Sequence, residues 1–198
     1  LADEIAHLCM TRFLDADSGG VREFFESDWS PLRGDMGRIL EPGHLFEWAW
    51  LLARWAERRG NTFALAKAER LFNIGESYGI CAEREVAIMA LHDDFTARDE
   101  MARLWPQAEW LKSAMRLAIL SCGKARSDYL ASALRAMAAL RLFLGTSVSG
   151  LWRDKLKPDG RFVFEPAPAS SLYHIAGAIY EVEQCLLSLE AVSHDVLP

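Results

Sequence analysis

The sequence predicts an all-α fold, an arc of helical hairpins amounting to about half of a toroid. Three observations point there. Apolar residues recur at helical spacing over six stretches, with no βαβ alternation, no sustained strands and no glycine-rich phosphate loop between them. The order outer helix, elaborate loop, inner helix occurs three times, and the inner helices start near residues 44, 105 and 170. A proline stands at each of those starts, Pro42, Pro106 and Pro168, where its missing N–H does little harm. This repeat is longer than that of solenoid proteins and suits hairpins carrying large functional loops. Three hairpins do not close a ring.

Residues 2–14 form the first helix, and Asp15–Gly20 ends it with turn chemistry. Residues 21–40 are irregular, broken by Trp29-Ser30-Pro31 and Arg33-Gly34-Asp35, and read as a loose hairpin of residues 22–26 against 38–40. Pro42-Gly43 reads as a turn that delivers the chain into a helix from His44 to about Arg59, closed by Gly60-Asn61. Residues 48–55 are apolar almost all round, the pattern of a buried helix. Thr62–Tyr78 follows and stops at Gly79. Residues 85–104 are extended and hairpin-like, turning at His92-Asp93-Asp94. A helix then runs from Trp105 to about Cys122 and, past Gly123, another from Lys124 to about Leu144. The loop 145–169 turns at Lys157-Pro158-Asp159-Gly160, and Ser170 and Ser171 cap a last helix to about Val192.

With 198 residues, 51% of them hydrophobic, the chain reads as one domain over 1–198. Seven Trp and ten Phe suit either a large core or an aromatic-lined pocket. A net charge of −6 without a basic block argues against nucleic acid and anionic membrane surfaces as partners. Cys9, Cys81, Cys122 and Cys185 lie far apart and read as buried free thiols. No signal peptide is visible and no apolar run reaches the ~18 residues of a membrane span. The cytoplasm is therefore the expected compartment. The chain opens at Leu1 already in helical pattern, so a fragment of a longer polypeptide is expected.

Each inner-helix mouth carries polar or aromatic residues on one face. These are His44 and Glu47, three apart, then Trp105 and Glu109, and Ser170 and His174, each pair four apart. If the three helices stack in one direction, the pairs converge on a pocket at one end. A lone histidine at a helix start is more often a cap or surface residue. Glu47 beside it and His174 at the equivalent mouth set His44 apart, whereas His7, His92 and His194 lack such company and read as surface or loop residues. Glu109 alone would also suit a helix N-terminus, and Trp105 a core. Without a His-x-x-x-His pair or a carboxylate cluster, no metal site is expected. The helix N-terminus disfavours the imidazolium form of His44 while Glu47 favours it, and the spacing leaves open which prevails.

Glu41-Pro42-Gly43-His44-Leu45-Phe46-Glu47-Trp48 and the apolar run to Leu52 resemble the central signature of the N-acylglucosamine 2-epimerase superfamily. Arg103–Glu109 is similar to its next signature and Pro168–His174 to its last, in family order. The resemblance implies an (α/α)6 barrel, of which this chain covers only the C-terminal half. It further implies that His44 and His174 act as general acid and base, with Glu47 supporting the first. By the same resemblance Arg103, Trp105, Glu109 and Ser170, with Trp48 of the signature, fall at or beside the sugar pocket. The Trp48 side of the signature is closer to mannose isomerases than to disaccharide epimerases.

What the resemblance implies is cofactor-free, metal-independent isomerisation of a monosaccharide, moving a proton between C2 and C1 of an open-chain aldose through an enediolate. Histidine suits this chemistry because its ordinary pKa of about 6.5 keeps both forms accessible. The close alternative is 2-epimerisation of N-acylglucosamine or another sugar. A glycoside hydrolase using Glu47 and Glu109 is a rival from another class; substituting His174 separates the two. A third reading is a truncated, non-catalytic carbohydrate-binding or assembly module. A homo-oligomer or a missing N-terminal half is the expected partner of the open arc.

Overall fold

The computed structural model describes residues 1–194. Six α-helices dominate it: α1 (Ala2–Leu8), α2 (Pro42–Arg59), α3 (Thr62–Gly79), α4 (Leu104–Leu120), α5 (Gly123–Leu144) and α6 (Ser171–His194). Helices α2, α4 and α6 pack side by side as an inner arc, α3 backs α2, and α5 backs α4. The first helix is not uniform: α1 continues as a π-helical turn, Cys9–Phe13. No described helix is long and apolar enough to cross a membrane.

Helix α2 begins two residues earlier than its sequence suggests. Pro42 occupies the first helical turn, because its fixed φ fits there and its absent N–H would have had no intrahelical partner. Gly43 follows inside that turn because Trp105 lies against its Cα; a Cβ would fall 2.3 Å from the indole. The helix ends at Gly60 in left-handed conformation, φ 61°. Asn61 then opens α3 by accepting a hydrogen bond from the Ala64 amide at 2.9 Å. The apolar run 48–55 is not buried all round. Leu52 and Ala53 are buried, Leu51 is exposed, and Trp48, Trp50 and Trp55 are half-buried, Trp50 beneath Lys112 of α4 and Trp55 bonded to Asp3 of α1.

The expectation of no sustained strands fails in the loops. Strands β1 (Ile39–Leu40), β2 (Ile80–Cys81), β3 (Val86–His92), β4 (Ala97–Arg103) and β5 (Lys155–Leu156) form one antiparallel sheet in the order β1-β3-β4-β5, with β2 also on β3. The hairpin turn falls at His92 as expected, closed by His92 and Thr96. The residue 21–40 segment meets the expectation in part: the Glu23 amide bonds the Ile39 carbonyl, as a hairpin of 22–26 against 38–40 requires, whereas Phe25 bridges Pro31 instead. This sheet positions the helix mouths. β1 leads into α2, β4 leads into α4, and buried Gln107 of α4 bonds both the amide and the carbonyl of Ala87 at 2.8 and 2.9 Å.

The main core joins Phe46, Phe72, Trp110 and Phe143 between the inner and outer helices. Of the cysteines, Cys9 and Cys185 are buried as expected and burial pushes both thiols up to about 12. Cys81 is half-buried and Cys122 is exposed, because it immediately precedes α5. His7 is exposed and His92 sits at its turn, as anticipated. The side chain of His194 lies outside the described residues.

Candidate active site

The three helix mouths meet at one end of the inner arc. A cavity of about 220 Å³ there is lined by His44, Glu47, Arg103, Trp105, Ser170, Ser171, Tyr173 and His174. Trp105 is the floor between the two imidazoles, with ring centroids 4.9 Å from His44 and 5.4 Å from His174. Tyr173 also flanks His174, with ring centroids 3.8 Å apart. The helical spacing of the pairs therefore does bring His44, Glu47, Trp105, Ser170 and His174 together.

Each histidine is tethered through Nδ1 to a carboxylate. His44 Nδ1 lies 2.7 Å from Glu23 Oε2, with Glu41 at 3.5 Å. Glu23 is itself fixed, since its other oxygen accepts the Glu41 amide at 3.2 Å. The carboxylate bonded to His44 is thus Glu23, not Glu47. His174 Nδ1 lies 2.6 Å from Glu109 Oε1. Glu109 is wholly buried and also ion-paired to Lys112, whose Nζ is 2.9 and 2.8 Å from its two oxygens. It stands behind His174 and does not line the cavity. Glu47 lines the cavity and belongs to this second cluster, within 4.8 Å of the donor atoms of Glu109 and His174.

Burial alone would lower the pKa of His44, but the hydrogen bond and charge of Glu23, with the charges of Glu41 and Glu47, push it up to about 9. Glu47 is raised above the usual carboxylate range by burial and by the nearby charge of Glu109. Glu41 is raised likewise, by burial and by Glu23. Arg103 is held at the rim by Asp154, with Nε and Nη2 at 3.0 and 2.9 Å from one carboxylate oxygen. Ser170 is exposed at the rim. Trp48 lies away from the cavity, in an adjoining cleft beside Phe13, Phe25 and Trp29.

Glu23-Glu41-His44 and Glu47-Glu109-His174 each bring three donor atoms together. In the first set both Glu23 oxygens are already hydrogen-bonded, and in the second the Lys112 ammonium occupies the place of a cation on Glu109. Neither donor set suits a metal ion. Glu23, Glu41 and Lys112 escaped sequence reasoning, as did Ser171 and Tyr173. Lys112 was detectable as a charge three residues after Glu109, whereas nothing periodic marks Glu23.

The family model of N-acylglucosamine 2-epimerase matches residues 1–178. The chain is 65% identical over 186 residues to a protein of Rhizobium meliloti (strain 1021) named mannose-6-phosphate isomerase, covering 94% of this chain and 48% of that protein. Among solved structures it resembles a D-mannose isomerase with TM-score 0.80 at 23% identity, covering 92% of this chain and 49% of the other. It also resembles cellobiose 2-epimerase from Bacillus thermoamylovorans B4167, with TM-score 0.74 at 16% identity, covering 92% and 45%. The chain thus spans about half the length of these relatives, and its six helices form half of their α/α toroid.

Proposed function

The chain belongs to the N-acylglucosamine 2-epimerase family, and from that premise we propose that it carries the acid–base machinery of a sugar isomerase of mannose/fructose type. The observation that carries this reading is the pair of carboxylate-tethered histidines facing one cavity across Trp105. Their Nδ1 atoms are engaged, so each presents Nε2 to a sugar lying over the indole.

His44, held protonated at neutral pH, is the acid. His174 is the base. With the aldose open, His174 takes the C2 proton while His44 gives its proton to O1, and the enediol forms. His174, whose captured proton exchanges with solvent, then delivers a proton to C1, the O2 hydroxyl proton passes to His44, and the ketose results with both histidines restored. Glu47 faces the same volume and supports the charge changes. A 2-epimerase would instead reprotonate C2 from the opposite face. The hydrolase reading loses support, because Glu109 is enclosed behind His174 and paired with Lys112 rather than facing a scissile bond. The substrate is a monosaccharide, and the open arc is completed by further hairpins, from the same polypeptide or a second copy.

The test is incubation of the full-length protein with mannose, glucose or N-acylglucosamine in heavy water. Deuterium should enter at the carbon next to the carbonyl, and His44→Ala or His174→Ala should each slow exchange about 10²–10⁴-fold. Ketose formation identifies an isomerase, and label retained at C2 an epimerase. Undiminished exchange in both variants would sink the reading.

A further inference from the structure

The two histidines share one geometry but differ in the charge around them. His44 is faced by Glu23 and Glu41, and neither carboxylate is ion-paired to a Lys or Arg among the described residues. His174 is faced by Glu47 of α2, by Glu109 and Lys112 of α4, and by Tyr173 on its own helix. Arg103 at the rim is taken up by Asp154. With neutral imidazoles, Glu23, Glu41 and Glu47 put three negative charges around His44, whereas Lys112 leaves a net one around His174. Without Lys112 it would be two.

Its setting is built around that charge. Lys112 is 4% exposed. Its Nζ caps both oxygens of Glu109 and lies 3.9 Å over the Trp50 ring. Gly177 of α6 faces the ammonium, and a Cβ there would stand in ordinary contact with it at 3.8 Å. A buried ion pair gains little over apolar packing in net stability, so stability alone does not account for a lysine in this wall.

We propose that Lys112 is a positioning residue for the base: it lets Glu109 hold His174 through Nδ1 without drawing a proton onto the Glu47-Glu109-His174 cluster, which leaves Nε2 free to take the C2 proton. The proposal rests on the acid–base reading above. Without the ammonium, any proton bound by this cluster binds tighter, whichever of the three groups holds it.

Lys112→Met keeps the unbranched stem, one atom shorter, and removes its charge, and Lys112→Arg keeps the charge. In Lys112→Met the acid limb of the kcat/KM profile should move upward by about one unit or more, with the parent rate approached on the alkaline side. Lys112→Arg should keep the parent limb. If the methionine variant does not fold, Lys112→Gln serves in its place. A uniformly depressed rate with an unmoved limb would overturn the proposal, as would an arginine variant shifted as far as the neutral one. Full activity in His174→Ala would instead sink the acid–base reading, a result distinct from an unmoved limb in an enzyme that still needs His174.

Discussion

Glu23 decides the protonation of His44. The helix start and burial both work against an imidazolium there, yet a 2.7 Å bond to a mostly buried carboxylate outweighs them. Because the folded value, about 9, lies above the ordinary one of roughly 6.5, the pair stabilises the fold fully below the ordinary value. That contribution is lost as pH rises through about 9. The same ionisation should remove the acid and give kcat/KM an alkaline limb near 9. Glu23→Gln keeps the shape and removes the charge, so this limb should move down by about one to two units. A limb unmoved in a pH–rate comparison would assign it to another group. His44, Glu47, Trp105 and His174 were legible in the sequence, because helical spacing alone puts each on the pocket face of its helix. Glu23 was not, because it lies 21 residues before His44 on a segment without period. The expected pairing of 22–26 with 38–40 brings that segment to the helix mouth, but no spacing marks which of its residues meets the histidine.

The helix mouths owe their positions to elements that barely register as elements. β1, β2 and β5 are two residues each, too short for any periodicity. The longer β3–β4 hairpin was legible as an extended segment turning at His92, but its register shift between Ile88 and Leu91 interrupts the alternation that marks sustained strands. The six helices were legible within a few residues, since their apolar faces pack on one core. The start of α2 was not, because the residues that read as a turn are its first helical turn. Gly43 is there to admit Trp105, the floor of the site, and that can be measured. Gly43→Ala places a methyl 2.3 Å from the indole, so either Trp105 or α2 must move. The expected cost is about 1–3 kcal/mol of stability, with a loss of kcat/KM beyond what the lowered melting temperature explains. A variant that melts and turns over like the parent would show that the indole has room to yield.

Two sides of the inner arc carry exposed apolar residues. On α6, Leu172, Ile179, Tyr180, Leu186 and Leu187 are each about half exposed or more. On α2, exposed Leu51 lies beside half-buried Trp48 and Trp55, which Ile5 and Ala6 of α1 cover in part. Apolar surface of this extent on one helix exceeds the scattered exposure normal for a monomer. Residues 1–198 expressed alone should therefore self-associate through these sides, read as a mass above that of one chain in size-exclusion chromatography with light scattering. Ile179 and Leu187 are exposed, so Ile179→Lys with Leu187→Lys should lower that mass while leaving the helical circular dichroism unchanged. A single-chain mass for the unsubstituted protein at micromolar concentration would show that the arc needs no further wall to stay in solution.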